Sequence, residues 1–320
     1  MIRTVFSAAI AAAALLGVPA AAQDAFPSKP IRIVVPFPPG GLGDLTGRIV
    51  SQRLGDAVQQ RILVDNRPGG DEIIGSEHVA RSAADGYTLL LATATHVVNP
   101  AVKLKLPFDP VGDFAPVTLA TQFPYLIVVH PSVQALSARD LIAYARSNPG
   151  KLTFGSSATF PLLASAWFAF EAGIKVTQIP YKGAGPVLTD LMGGHIDAAF
   201  AASAGPIPIV LSGRLKAVAV TSRSRIAVLP NVPTAIESGL KDFEIHGWHG
   251  FLAPARTPPD VIARLNAELA KVFQAAEVKE EMAQRAIQTV SNAPADFAAF
   301  MQSERTKWAK AVALSGLKPQ

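Results

Sequence analysis

Short apolar runs alternate with segments of helical period along almost the whole chain. Runs at 31–35, 62–64, 87–92, 117–120, 126–129, 152–154, 176–179, 196–200 and 215–220 have the length and β-branched character of strands. Between them the period lengthens. Leu45, Ile49, Val50, Leu54 and Val58 share one helical face, with Arg48, Gln52 and Arg53 turned away. Ser137 has the chemistry of an N-cap, with Asp140 three residues on to suit the positive helix end. Pro258 and Pro259 open a helix with the stripe Ile262, Leu265, Leu269 and Val272, and a last helix is expected over about 294–308. Repeated β–α alternation predicts an α/β fold with parallel sheets covered by helices.

The domain plan rests on two places where the pattern changes. "ATQFPYLIVV" sets a proline between two apolar runs, and "IHGWHGFLAP" does something similar late in the chain. If the chain crosses between lobes at both, lobe 1 comprises 23–122 plus 249–320, and lobe 2 is the insert 123–248. Two open α/β lobes with two crossings place a ligand cleft at the carboxyl ends of both sheets.

Composition narrows the chemistry. The 320 residues contain no cysteine, which removes disulfides, cysteine metal sites and cysteine nucleophiles. The formal charge of +5 is spread without a basic cluster, so no nucleic-acid partner is expected. Residues 1–22 read as a secretory signal peptide: Arg3, an apolar Ala/Leu run, then Ala20-Ala21-Ala22 before the expected cleavage. The apolar run is shorter than the about 20 residues of a membrane span. The expected location is therefore outside the cytoplasm.

"IRIVVPFPPGGLGDLTGRIV" raises the sharpest question, because strand, glycine turn and helix make the usual cradle for an anion. Gly41, Gly43 and Gly47 approach the dinucleotide pattern, and Asp65 ends the next strand near the position of a ribose-binding acid. Pro36, Pro38 and Pro39 in the turn, and Asp44 at the helix start, argue against a nucleotide; no G-K-[ST] follows for a Walker loop. One alternative is a plain turn in which Asp44 caps the helix. Another is a small-anion cradle in which N–H groups of Gly40–Gly43 face a ligand carboxylate. Hydrogen bonds to a charged group contribute about 1.5–3 kcal/mol each. Three or four across two lobes suffice for micromolar binding, about −8 kcal/mol, after the cost of association.

At this point the ordered motifs carry a resemblance. "PSKPIRIVVPFPPGGLGD", "VDNRPGG", "DGYTLLLAT", "NPAV", "FDPVGDFAPVTL", "IPYKGAGPVLTDLMGGHIDAAF", "LKAVAVTS", "RIAVLPNVPT" and "WHGFLAPARTP" resemble the Bug-type (tripartite tricarboxylate transporter) extracytoplasmic solute receptors. The resemblance implies a two-lobed periplasmic binding protein (type II, flytrap) that captures a small organic carboxylate and works as a monomer with membrane permease subunits. It implies ligand contacts at Pro39, Gly40, Gly41 and Leu42, and at Thr93, Ala94 and Thr95. In the second lobe it implies Gly155, Ser156, Ser157, Ala158, Lys182, Ala201 and Ala202. A structural lysine at the rim is the other reading of Lys182.

The chain departs from the family at three places. Asp71 and Glu72 follow "RPGG", where the family has glycines and an asparagine. They suit a helix start, or disfavour anions if they face the cleft. The usual histidine of the second-lobe loop is absent, with Leu162 or Leu163 near its place, and a common aspartate is Ala201. These changes point to an apolar wall and a ligand with an apolar or aromatic body. No catalytic residue, cofactor or metal is expected. His246 and His249 lack a third ligand, and Ser156-Ser157 is no nucleophile elbow. A sensor feeding a signalling system, or an exported α/β enzyme, would use the same cleft.

Overall fold

The computed structural model describes residues 26–315 except 104; the expected signal peptide lies outside the described residues. The first β–α units run β1 (Ile31–Val35), α1 (Leu42–Val58), β2 (Ile62–Asn66), α2 (Ile73–Ala80), β3 (Thr88–Thr93) and α3 (Ala94–Val102). β1 lies between β2 and β3, parallel to both. α1 is pressed onto β1 where it carries no side chain: a Cβ at Gly47 would sit 3.0 Å from Val35 Cγ2. Val50 and Leu54 of the predicted stripe are fully buried there.

β4 (Phe114–Val129) is a single strand through what the sequence pattern divides into two. Its apolar character carries through Pro124, and its partners change there. From Phe114 to Pro124 it pairs antiparallel with β9 (His246–Pro254); from Tyr125 to Val129 it pairs antiparallel with β7 (Ala198–Ala202). β8 (Lys216–Val220) lies along the other edge of that second half. Proline gives a sheet no N–H to donate, and the ladder moves to new neighbours beyond it. The second sheet continues through β5 (Thr153–Ser156) and β6 (Thr177–Pro180), so the full order is β2-β1-β3-β9-β4-β7-β5-β6. The expectation of parallel sheets holds only for β1–β2, β1–β3, β5–β6 and β5–β7. β4 and β9 traverse the molecule in opposite directions, which makes the centre antiparallel.

Helices α4 (Ala138–Ser147), α5 (Thr159–Ala172), α6 (Ala184–Met192) and α7 (Ile207–Leu211) belong to the second sheet's connections. Ser137 caps α4 as expected: its Oγ accepts from Asp140 N–H at 3.2 Å. α8 (Pro259–Gln274), α9 (Ala276–Ala283), the short β10 (Gln288–Thr289) and α10 (Pro294–Ser315) complete the chain. Ile262, Leu265, Leu269 and Val272 of α8 are all buried, as their spacing predicts. Alternation along β4 sends Ile127 and Val129 to the main core and Leu126 and Val128 to a smaller one.

α10 extends seven residues beyond the expected Trp308 and fastens the two sheets' helices together. Its Phe297 packs edge-on against Trp248 of β9, with ring centroids 5.8 Å apart. Trp308 packs against Phe160 and Trp167 of α5 at 4.6 and 5.6 Å. Trp308 is fully buried and donates its indole N–H to Glu304 at 3.1 Å. Trp308→Ala is therefore expected to cost about 3–5 kcal/mol, the usual price of deleting a buried indole. Urea denaturation of both proteins checks this, and a loss below about 1 kcal/mol would contradict the packing.

Candidate functional site

Four helices begin around one cleft. The turn after β1 is stiffened by Pro38 and Pro39, and Gly40 then adopts φ +86°, the left-handed region that favours glycine. α1 starts behind Gly41 as its N-cap. Asp44 is not that cap: it lies in the first turn, and its Oδ2 reaches back to accept from Gly40 N–H at 3.0 Å and Arg48 Nε at 2.9 Å. Burial pushes the Asp44 pKa up, but the bonds from Arg48, Gly40 and Asn66 outweigh it and hold the carboxyl below its ordinary value. The Gly40 N–H is thus spent on Asp44, which corrects its place in the expected cradle. The N–H groups of Leu42, Gly43 and Asp44 precede the first helical bond, which runs from Leu45 N–H to Gly41 C=O.

α3 starts directly on β3. Thr93 is its N-cap and accepts the Thr95 N–H at 3.1 Å. α5 begins at Ala158, whose side chain cannot cap it, and α6 begins at Gly183 with φ +107°. Each helix start carries about half a positive charge from aligned peptide dipoles.

All four starts border the first of two chambers of about 370 Å³ each, and the starts of α1 and α6 border the second. Both are lined by Gly40, Gly41, Leu42, Tyr125, Ser157 and Ala202, among others. The first also takes in Pro39, Thr93, Thr95, Ala158 and Lys182. Ala201 lines only the second. Three expected contacts line neither chamber. Ala94 is buried at 2% exposure. Gly155 packs tightly under Ile196, whose Cδ1 would lie 2.4 Å from a Cβ there. Ser156 is buried and its Oγ donates to Gln178 at 3.2 Å. Both of these last residues belong to β5, which ends immediately before Ser157, the residue that opens on the cleft.

The floor was less legible. Phe123 and Tyr125 project from the same face of β4 on either side of Pro124, with ring centroids 6.1 Å apart. His249 packs 5.1 Å from Phe123. Period-2 spacing around the proline in "QFPYL" was the available signal. His249 and His246 fall on opposite faces of β9, a geometry that separates their rings. His249 Nδ1 is 3.0 Å from Thr46 Oγ1, and burial lowers its pKa to about 3, so it adds no positive charge. Asp65, the candidate ribose acid, is held by Arg32 and Arg67 at 2.9 and 2.8 Å.

Asp71 and Glu72 line neither chamber and neither caps α2 through its side chain. Asp71 Oδ2 accepts from Thr159 Oγ1 of α5 at 2.8 Å and lies 3.4 Å from Lys103 Nζ. Glu72 is buried directly behind Thr93, to whose hydroxyl it is hydrogen-bonded. Burial pushes its pKa up to about 8, against the pull of Thr93 and Thr95, and the Asp71 charge adds to the rise. Leu163, near the missing histidine, is buried in the core.

Comparison with known proteins fits this geometry. The family model for the tripartite tricarboxylate transporter family receptor matches residues 46–317. The UPF0065 protein in the tcbD-tcbE intergenic region of Pseudomonas sp. (strain P51) is 39% identical over 90% of this chain and 87% of its own. The structure of R. palustris Rpa4515 with adipate superposes with a TM-score of 0.89 at 29% identity, over 92% of this chain and all of that one. The periplasmic binding protein BugD does so at 0.87 and 29%, with the same coverage. The architecture is the two-lobed one of periplasmic solute-binding proteins.

The raised Glu72 pKa has a stability consequence. A carboxyl whose folded pKa lies above its ordinary 4.5 adds stability that is complete below that value and is lost as pH rises to about 8. Wild-type protein is expected to lose stability relative to Glu72→Gln across that window. Denaturant midpoints measured from pH 4.5 to 8.5 check it, and parallel profiles would contradict the buried acid.

Proposed function

We propose that this chain, which belongs to the tripartite tricarboxylate transporter family of receptors, captures a small organic carboxylate with an apolar or aromatic body and delivers it to membrane permease subunits. The family's receptors are periplasmic, and the leader-like residues 1–22 support export of this chain. The observation that carries the reading is the convergence of four helix starts on a cleft whose floor and walls are Phe37, Leu42, Phe123, Tyr125 and Pro161. Helix starts favour an anion without a paired cation, and so avoid the desolvation cost of several kcal/mol that a buried ion pair carries. Lys182 is exposed at the rim, where its charge attracts an anion without meeting it in the interior. The adipate bound to the R. palustris relative supports a carboxylate in the same fold.

Binding holds the two lobes together. The ligand's carboxylate lies between the starts of α1 and α3 on one side and that of α5 on the other, with Ser157, Ala158 and Ala202 as the second-lobe wall. Contacts made to both lobes exist only in the closed form, so the ligand shifts the population toward it. β4 and β9, which cross between the sheets near Pro124 and His246, are the hinge. The event is reversible capture, with no covalent chemistry.

Two measurements test this. A thermal-shift and calorimetry screen is expected to rank adipate, benzoate or phenylacetate above aspartate and citrate, with about 2.7 kcal/mol of stabilisation at a hundredfold excess over Kd. Tighter binding of aspartate or citrate would overturn the apolar body. Thr95→Val is expected to weaken the best carboxylate about tenfold to a hundredfold, the loss of one charge-assisted hydrogen bond. Unchanged affinity would remove Thr95 from the site.

A further inference from the structure

Glu72 stands in an unusual setting. It is 1% exposed and holds φ 73°, directly after Asp71 at φ 54°. Two successive non-glycine residues in the left-handed region persist only where their surroundings fix them. The carboxyl forms the back of the wall whose front is Thr93 and Thr95, both of which line the first chamber. Its Oε1 meets the Thr93 hydroxyl, and its Oε2 has no hydrogen-bond partner among the described residues.

The direction of the Thr93 bond depends on the proton. A hydroxyl has one hydrogen to give and two lone pairs to accept with. Thr93 Oγ1 already accepts the Thr95 N–H. If Glu72 is ionised, the Thr93 hydrogen goes to Oε1, and no hydrogen is left for the cleft. If Glu72 is an acid with its proton on Oε1, the oxygen that meets the Thr93 hydroxyl, the direction reverses. Glu72 then donates to Thr93 Oγ1, both lone pairs are filled, and the Thr93 hydrogen turns toward the chamber.

We propose that Glu72 is a positioning residue for ligand capture: kept as a neutral acid, it turns the Thr93 hydroxyl outward as a donor to the ligand's carboxylate. On ionising, it takes that donor back and sets a buried negative charge behind the anion. The inference rests on the carboxylate-receptor reading. It gives the departure at Asp71-Glu72 a use in binding rather than in capping α2.

The neighbours leave Glu72 as the group to titrate. Burial holds it as an acid at neutral pH, with its pKa near 8. Asp71 beside it is held by Thr159 and Lys103. Burial, and then the Glu72 charge itself, raise the phenol of Tyr125 on β4. His96 of α3 and His249 of β9 are kept neutral by burial, at about 4 and about 3. Lys103 and Lys182 are common to wild type and variant, so their charges cancel in the comparison.

The test is calorimetric titration of wild type, Glu72→Gln and Thr93→Val with adipate, benzoate and phenylacetate at pH 6.5 and 9.5, where these carboxylates are ionised. Wild-type affinity is expected to fall roughly tenfold or more between the two. Glu72→Gln, whose amide N–H donates to Thr93 at every pH, is expected to give a flat profile. Thr93→Val is expected to bind more weakly than wild type at pH 6.5 and comparably at 9.5. A flat wild-type profile, or a Glu72→Gln profile that falls as wild type does, overturns the inference and leaves the carboxylate reading standing. If Glu72→Gln does not fold, Thr93→Val carries the same comparison, because it keeps both lysines and Glu72 but lacks the switched donor, and a fall in its affinity as steep as that of wild type overturns the inference. No binding of any of the three acids by any protein at either pH overturns both.

Discussion

The antiparallel pairing of β4 with β9 is the constraint on which the rest depends. It runs from Phe114–Pro254 to Pro124–His246 and is the seam along which the two sheets meet. Beyond Pro124 the same strand is the centre of the second sheet, with β7 and β8 on its edges. Every loop of the cleft is therefore referred to this one strand pair. The starts of α1 and α3 are set by β1 and β3, which reach the seam through β9. The start of α5 is set by β5, which reaches it through β7. Aromatic packing by α10, through Phe297 and Trp308, braces the same seam from behind.

Anion chemistry follows from that placement. The cleft has little free positive side-chain charge: Lys182 is at the rim, His249 is neutral, Arg48 is tied to Asp44, and Arg285, which lines the second chamber, donates to the Glu281 C=O at 2.8 Å. What remains is the backbone, presented as helix starts whose first N–H groups have no intrahelical partner. Such groups are cheap to leave near a water-filled cleft and effective once an anion replaces the water. The apolar floor then discriminates by the body of the ligand, since a buried polar group without a partner costs about 1–3 kcal/mol.

Much of the fold was legible in the sequence because burial and period coincide. β1, the α4 cap at Ser137 and the α8 stripe emerge where expected. The misread elements share a cause. A proline inside an apolar run reads as a break, yet Pro124 only marks where β4 changes neighbours. Two-residue β10 is too short for any period to register. At the site, most of the expected loop residues line the cleft, whereas Ala94, Gly155 and Ser156 are buried beside it. A motif marks the stretch of chain near a cleft but not which of its residues packing leaves on the surface: Gly155 lies under Ile196, and Ala94 is enclosed in the first turn of α3. Glu72 was visible as a charge out of pattern, but only packing shows that it sits behind Thr93.

The central claim is that backbone N–H groups at helix starts, and not a cationic side chain, hold the ligand's carboxylate. A crystal structure with a bound carboxylate such as adipate or benzoate measures this directly. The account predicts carboxylate oxygens within about 3 Å of N–H groups at the starts of α1 and α3 and facing the start of α5, with the body of the ligand against Phe123 and Tyr125. A carboxylate paired instead with Lys182 or Arg48 at the rim, with the helix starts still hydrated, would contradict it.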